Sequence, residues 1–430
     1  MRKFTLLLAL IGMLGFTQCI NETYFGESEQ ANITKFTIEG ELTNKIEPLV
    51  DWKDVGTVTI TVPESYDLSN LTVTAAVCSQ LAHFETDPLT IHDFSKDVEL
   101  NVHAEKKGIV KKWIIKVSKE VVPEEEELAF SNMQQWTPKN NQGISVVVNG
   151  KEGSYPGNGV DYSPWNSSIE SNKVDIGGFK DLTTFPYDLS DGTKCSRIQT
   201  IKSTSLIAIN MGMGLASGAM FVGEFIFNQA LMVGTVKEPR KMMNLGVSFH
   251  SKPKAVKFKM RYKPGPVMMD GKTVPITTEN ADGRPTKDGC DIYFLLQNRK
   301  MEANTFVRIA GASYRSERGA NIGDMGDDAS GFVVMEIPFI YGEPTAEELA
   351  EKPYCGIGGL DGDLFFYEFT PTGDGKYDIS KDPVKEVYAQ DPNATEITHI
   401  VALFSSSVNG DKFWAAPESM LDIKDIELVY

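Results

Sequence analysis

Histidine, cysteine, carboxylate pairs and exposed aromatic rings are the groups with which a chain of 430 residues does chemistry, and here they are unevenly placed. His83, His92 and His103 share no metal-ligand spacing and are expected to be scattered surface or loop residues. His250 and His399 are the other two histidines, so imidazole acid–base work has few candidates. Cys78, Cys195, Cys290 and Cys355 contain no C-x-x-C pair, which argues against a zinc site or a redox motif and leaves free thiols or a disulfide of unassignable pairing. No G-x-S-x-G elbow, H-E-x-x-H or glycine-rich phosphate loop is present. A glycosidase needs two carboxylates about 5 to 10 Å apart. With 59 acidic residues some pair always qualifies, so that requirement discriminates nothing. Asp361-Gly-Asp363 and Gly373-Asp-Gly-Lys-Tyr-Asp378 offer the hard oxygen donors of a calcium loop without EF-hand spacing. They read as solvated turns, and no cofactor or metal is expected.

Binding asks for less than catalysis. Sugars present apolar C–H faces, and flat aromatic rings meet them at low entropic cost. The stretch YPGNGVDYSPWNSS gathers Tyr155, Tyr162 and Trp165 with Asp161 and Asn166, and its Pro and Gly residues make it a loop. Tyr162, Trp165, Asp161 and Asn166 are therefore candidate ligand-binding residues. Trp414, beside Asp411 and Lys412, is a second candidate; Tyr314-Arg315 with Arg318 is a third. The competing expectation for every ring is that it plugs the end of a β-sandwich as core. Lys257, Lys259, Arg261 and Lys263 form a basic stripe that reads as the wet face of a strand.

The elements that must position these residues are strands. VTITV places Val58, Ile60 and Val62 on one face, and LTVTAAV does the same with Leu71, Val73, Ala75 and Val77. Residues 35–120 are expected to form a small immunoglobulin-like β-sandwich. The run KEVVPEEEEL follows, and residues 121–128 read as an acidic linker. From residue 129 to 430 the pattern is again β: AVKFKMRYK turns Val256, Phe258, Met260 and Tyr262 inward, and GFVVMEIPF and ITHIVALF are further strands. PTAEELAEK is the clearest helical stretch. The whole is expected to be all-β, the small sandwich followed by a large jelly roll. The uncharged stretch through LIAINMGMGLASGAMF approaches the length of a membrane span, but its glycines and Asn210 favour buried strands around a turn.

The N-terminus carries an address. Arg2 and Lys3 precede an apolar run from Phe4 to Phe16, too short to cross a bilayer, and Cys19 closes the segment. This is the pattern of a lipoprotein signal peptide over residues 1–19, with Cys19 as the lipidated residue and residues 20–34 as a polar tether. The expected location is the outer membrane, lipid-anchored at the cell surface. Net charge is −17, which repels nucleic acid and excludes it as a partner.

Three segments carry a family resemblance: GLASGAMFVGEF, KPKAVKFKMRYKPG, and SSSVNGDKFWAAPESMLDIKDIELVY at the end of the chain. They resemble the putative carbohydrate metabolism domain of outer-membrane lipoproteins of gut anaerobes. The resemblance implies a jelly roll, a small companion sandwich, and glycan-related work by association, with no catalytic residue transferred. Ala415, Ala416 and Glu418 stand where the family has glycines or small residues, and residues 342–395 look like an insertion. The closing loop is expected to cap one end of the jelly roll, its serines and Asp411 satisfying backbone groups. The expectation is a surface glycan-binding protein without catalysis. An adhesin or assembly subunit with an unpaired strand edge, or a glycan hydrolase with facing carboxylates, are the alternatives.

Overall fold

A computed structural model describes residues 27–430 apart from 48–54, 65, 121–124, 139, 142–143, 146, 149, 168–177, 227–237, 279–282, 303, 359–364 and 372–376. Cys19 and the residues before it lie outside the described residues, as do Asp361, Asp363 and most of the second acidic turn. The chain divides into two compact units, Met1–Val121 with Pro371–Gly375, and Val122–Thr370 with Lys376–Tyr430. The architecture is all-β.

Among the described residues the first unit has seven strands: β1 (Ile33–Ile38), β2 (Thr43–Glu47), β3 (Val55–Pro63), β4 (Val73–Cys78), β5 (His83–Phe84), β6 (Val98–His103) and β7 (Val110–Glu120). β1 pairs with β4, and the other five form a sheet in the order β2-β3-β7-β6-β5. Val58, Ile60 and Val62 point into one core with Phe36, Val102, Trp113 and Ile115, as alternation predicts. The alternation fails in β4. A register shift between Thr37 and Ile38 on the partner strand turns the second half over, so Ala76 and Cys78 pack inward and Val77 is 48% exposed. His83 and His103 are not scattered: they are cross-strand partners whose rings stack at 5.2 Å.

The second unit is a two-sheet sandwich. Its principal strands are β8 (Trp165–Ser167), β9 (Thr184–Asp188), β10 (Lys194–Gln199), β11 (Ala219–Phe225), β12 (Ala255–Lys263), β13 (Asp291–Glu302), β14 (Thr305–Arg315), β15 (Val333–Pro338), β16 (Ile340–Tyr341), β17 (Lys385–Tyr388), β18 (His399–Ser405) and β19 (Met420–Val429). The larger sheet runs β8-β11-β18-β13-β14-β16, with β17 parallel to β14. Two short strands join it: Met243–Leu245 pairs with β11, and Val247–Ser248 with β18. The smaller sheet runs β9-β10-β19-β12-β15. Phe294, Phe404, Ile292 and Ile400 from the first meet Val256, Phe258, Met260, Tyr262, Leu421 and Ile423 from the second in a continuous core.

A second apolar layer lies on the outer face of the larger sheet, where Phe221, Tyr293, Leu295, Phe306 and Leu403 are covered by Met242, Phe366 and Val384. The last two belong to the 342–395 segment, so that stretch roofs part of the sheet. Its helix α1 (Ala346–Glu351) is closed by a capping box between Thr345 and Glu348. The LIAIN segment is a five-residue helix, Leu206–Asn210, and not a strand; Ser205 caps it, and the glycine turn then leads into β11. Among the described residues no helix is long and apolar enough to cross a membrane.

Candidate functional site

β8 settles the aromatic loop by strand parity. Trp165 and Ser167 turn toward the core and Asn166 turns out. Trp165 is 2% exposed, its ring lies 6.2 Å from that of Phe404, and its indole N–H donates to the Ala129 carbonyl at 2.9 Å. It is a core plug and cannot stack on a ligand, which corrects the reading of Trp165 as a binding ring. Asp161 is exposed, but its carboxylate accepts from Asn158 Nδ2 at 2.6 Å and so stabilises its own turn. Asn166 donates to the Gly223 carbonyl at 3.3 Å and accepts from the Ser167 N–H at 2.8 Å.

Tyr162 alone of that group offers an open ring, at 75% exposure. Its phenol is pushed up by partial desolvation and then by the charge of Glu224. Glu224 lies on β11 and accepts a hydrogen bond from the Tyr377 hydroxyl. Burial first, and that carboxylate second, push the Tyr377 phenol up as well. The Phe369 ring meets Tyr377 edge-on at 6.0 Å. Tyr377 and Phe369 thus stand at an exposed carboxylate whose charge also reaches Tyr162. Sequence reasoning missed Glu224, Tyr377 and Phe369 because Tyr377 and Phe369 lie some two hundred positions from Tyr162, and Glu224 sits in an otherwise apolar strand.

The closing loop is built on a buried carboxylate that had no sequence signal. Asp288 has no exposed surface and accepts four hydrogen bonds: Ser407 Oγ at 2.7 Å, Gly289 N at 2.9 Å, Ala416 N at 2.8 Å and Ser419 Oγ at 2.9 Å. Burial pushes its carboxyl up against the pull of those donors. The other two serines are structural too: Ser406 Oγ bonds Thr200 and the Gly218 carbonyl, and Ser405 Oγ donates to the Ser407 carbonyl. Glu418 takes φ +74° where the family has small residues, a conformation that glycine adopts without strain. Asp411 holds Arg240 at 3.2 Å instead of capping backbone, and Arg240 Nη1 donates to the Tyr293 hydroxyl at 3.0 Å. Trp414 is half-buried on Met268, Ile276 and Ala416, with Arg284 and Lys412 over its ring at 5.7 and 5.4 Å. It caps a small core and its face is already occupied by cations.

β13 acts as a ruler along the outer face. Its alternate residues Asp291, Tyr293, Leu295, Gln297 and Arg299 project outward. Asp291 binds Arg315 at 2.9 Å, over the Tyr354 ring. Gln297 Nε2 donates to Glu386 at 2.8 Å, and Arg308 Nε and Nη2 both bind the same carboxylate. Tyr314 packs against the inter-sheet core, and Arg318 donates to Asn409. The basic stripe divides: Lys259 pairs with Asp425 at the surface, but Arg261 is fully buried. It binds Asp422 at 2.8 Å and three carbonyls of the 324–328 turn, which folds over it; the expectation of a wet strand face is wrong there. A cavity beside Arg308 and Tyr388 has room for about one water, 10 Å³. Among the described residues no cluster of three metal-ligating side chains is found.

Lectin domains are among the proteins built on two-sheet β frames. Residues 124–355, just over half of the chain, match the family described as "Putative carbohydrate metabolism domain", and the chain belongs to that family. Its role is carbohydrate-related. Two of the three resembling segments fall inside the matched residues; the closing loop falls outside. A crystal structure of a putative glycoside hydrolase from Bacteroides thetaiotaomicron vpi-5482 is similar at 18% identity and TM-score 0.40, covering 94% of this chain and 97% of that one. Another, a putative glycoside hydrolase from Bacteroides vulgatus ATCC 8482, is similar at 16% identity and TM-score 0.39, covering 68% and 89%. No curated protein matches the chain.

Proposed function

We propose that this protein binds a glycan without cleaving it, at the cell surface, held there by lipid on Cys19. The observation that carries the binding reading is the open Tyr162 ring, reached by the charge of Glu224 beside Tyr377 and Phe369. A sugar ring stacks on the tyrosine face while the carboxylate takes its hydroxyls. Against cleavage stands the state of three outer-face carboxylates: Asp291, Asp411 and Glu386 each already hold a guanidinium. A general acid sits instead in a setting that keeps its proton on.

One stacked ring contributes on the order of 1 kcal/mol, so affinity per site is weak. A glycan-array screen of the protein from Ile20 onward identifies responsive glycans. Tyr162→Ala is then expected to lower binding to them several-fold with an unchanged melting temperature. Equal binding by the variant, or release of reducing ends from the bound glycan by the unaltered protein, would sink the reading.

A further inference from the structure

Most arginines in this unit that leave the solvent bring a carboxylate with them. Arg197 and Arg261 share Asp422, Arg240 has Asp411, Arg308 has Glu386 and Arg315 has Asp291. That is the usual condition for taking a cation out of water. Arg299 breaks the pattern. It is half-buried at the end of the β13 ruler, and among the described residues it binds no carboxylate.

The side chain is nevertheless held firmly. Nε and Nη2 both donate to Gln297 Oε1, at 3.0 and 2.8 Å. Gln297 is fixed in turn by its bond to Glu386, whose charge Arg308 already takes with two nitrogens. The guanidinium lies over Phe306 at 4.4 Å and beside Phe366 at 5.8 Å. Beneath it is Gly246, at φ +101°, where a Cβ would come within 2.7 Å of Nη2. Burial pulls the arginine below its ordinary range, with only Glu386 opposing. Nη1 has no hydrogen-bond partner among the described residues and is not shut off from solvent. A preoriented guanidinium with a free edge and no counter-ion is what an incoming anion requires.

Its surroundings say what carries the anion. Residues 243–248 link Glu224 and Arg299: Asn244 is the cross-strand partner of Glu224, and Gly246 lies under Arg299. Phe366 flanks Arg299 and Phe369 flanks Tyr377, three residues apart. Arg299 and Glu224 therefore stand at the same end of the larger sheet, Arg299 over its outer layer and Glu224 on the side that β11 turns with Met220 and Val222. We propose that Arg299 anchors the anionic group, carboxylate or sulfate, of an acidic saccharide. This names the ligand class of the glycan-binding reading and rests on it.

The test is titration calorimetry on the full-length protein with three probes: oligogalacturonate, a carrageenan oligosaccharide, and a neutral galacto-oligosaccharide. At least one charged probe is expected to bind tenfold or more tighter than the neutral one at low salt, and the probe preferred tells carboxylate from sulfate. That margin shrinks in 0.5 M NaCl, because the anchoring charge is partly exposed. Arg299→Gln abolishes the margin and leaves neutral binding as it was, while Arg299→Lys keeps part of it. The anchor is overturned if both charged probes bind no tighter than the neutral one, or if Arg299→Gln retains the margin. Neutral binding that still depends on Tyr162 would then leave the glycan reading standing. If no probe binds at all, both fall together.

Discussion

Trp165 carries a hydrogen bond, an aromatic neighbour and a share of the main core, all through one side chain. Truncating a ring of that size leaves a void that neighbouring side chains refill only in part. Trp165→Ala is expected to cost about 3 to 5 kcal/mol in denaturant unfolding, with glycan affinity unchanged in the fraction that remains folded. A variant of native stability would show that the ring is dispensable to the core. The residue was legible in sequence as an aromatic in a polar loop, and composition made it look exposed. What decided its place was parity: β8 begins at Trp165 and Asn166 takes the outward position. Asp288 lay beyond reach for a different reason. Its four donors come from residues 289, 407, 416 and 419, and one carboxylate among many carries no mark of such partners.

Elements gather charge as well as shape. Where β13 and β18 end, burial first, and then Arg299, Lys300 and His250, hold His399 well below the ordinary value of 6.5. The Thr398 hydroxyl contacts Nδ1 at 2.9 Å, and Glu126 faces His250 from the other side. An unfolded chain takes up a proton on this histidine as pH falls through 6.5, and the folded chain resists it. Stability is thus whole above pH 6.5 and is lost as pH drops below it. The melting temperature is expected to fall as pH drops below 6.5, and His399→Asn should flatten that slope. Glu126, lowered from its ordinary 4.5, adds its own loss only at more acid pH. An unchanged slope in the variant would remove His399 from the account. The strands themselves were readable: Val58, Ile60, Val62 and the β12 set all face inward as their spacing predicts. Register shifts were not, and the one at Thr74 within β4 reversed Val77 because an extra residue in one strand leaves no trace in the hydrophobic pattern.

Across the whole molecule, the acidic stretch that reads as a linker has its last residues in the second unit. Glu126 accepts backbone N–H groups from His250 and Ser251, and Leu128 is buried in the main core. The proposal of a lipid anchor belongs to this scale, because it concerns where the entire protein resides. Replacing Cys19 with Ala should shift it from the membrane fraction to the soluble fraction of expressing cells. Persistence of the variant in the membrane fraction would defeat the anchor.

β19 is the last strand in the sequence and the middle strand of the smaller sheet, bonded to β10 on one side and β12 on the other. Its Asp422 binds Arg197, 225 positions earlier, and Arg261 as well. During synthesis the two neighbouring strands are made long before the one that joins them. Until then each presents an unpaired edge, and two arginines await the carboxylate that neutralises them. Closure of so non-local a sheet is slow and has to wait for the residues of β19.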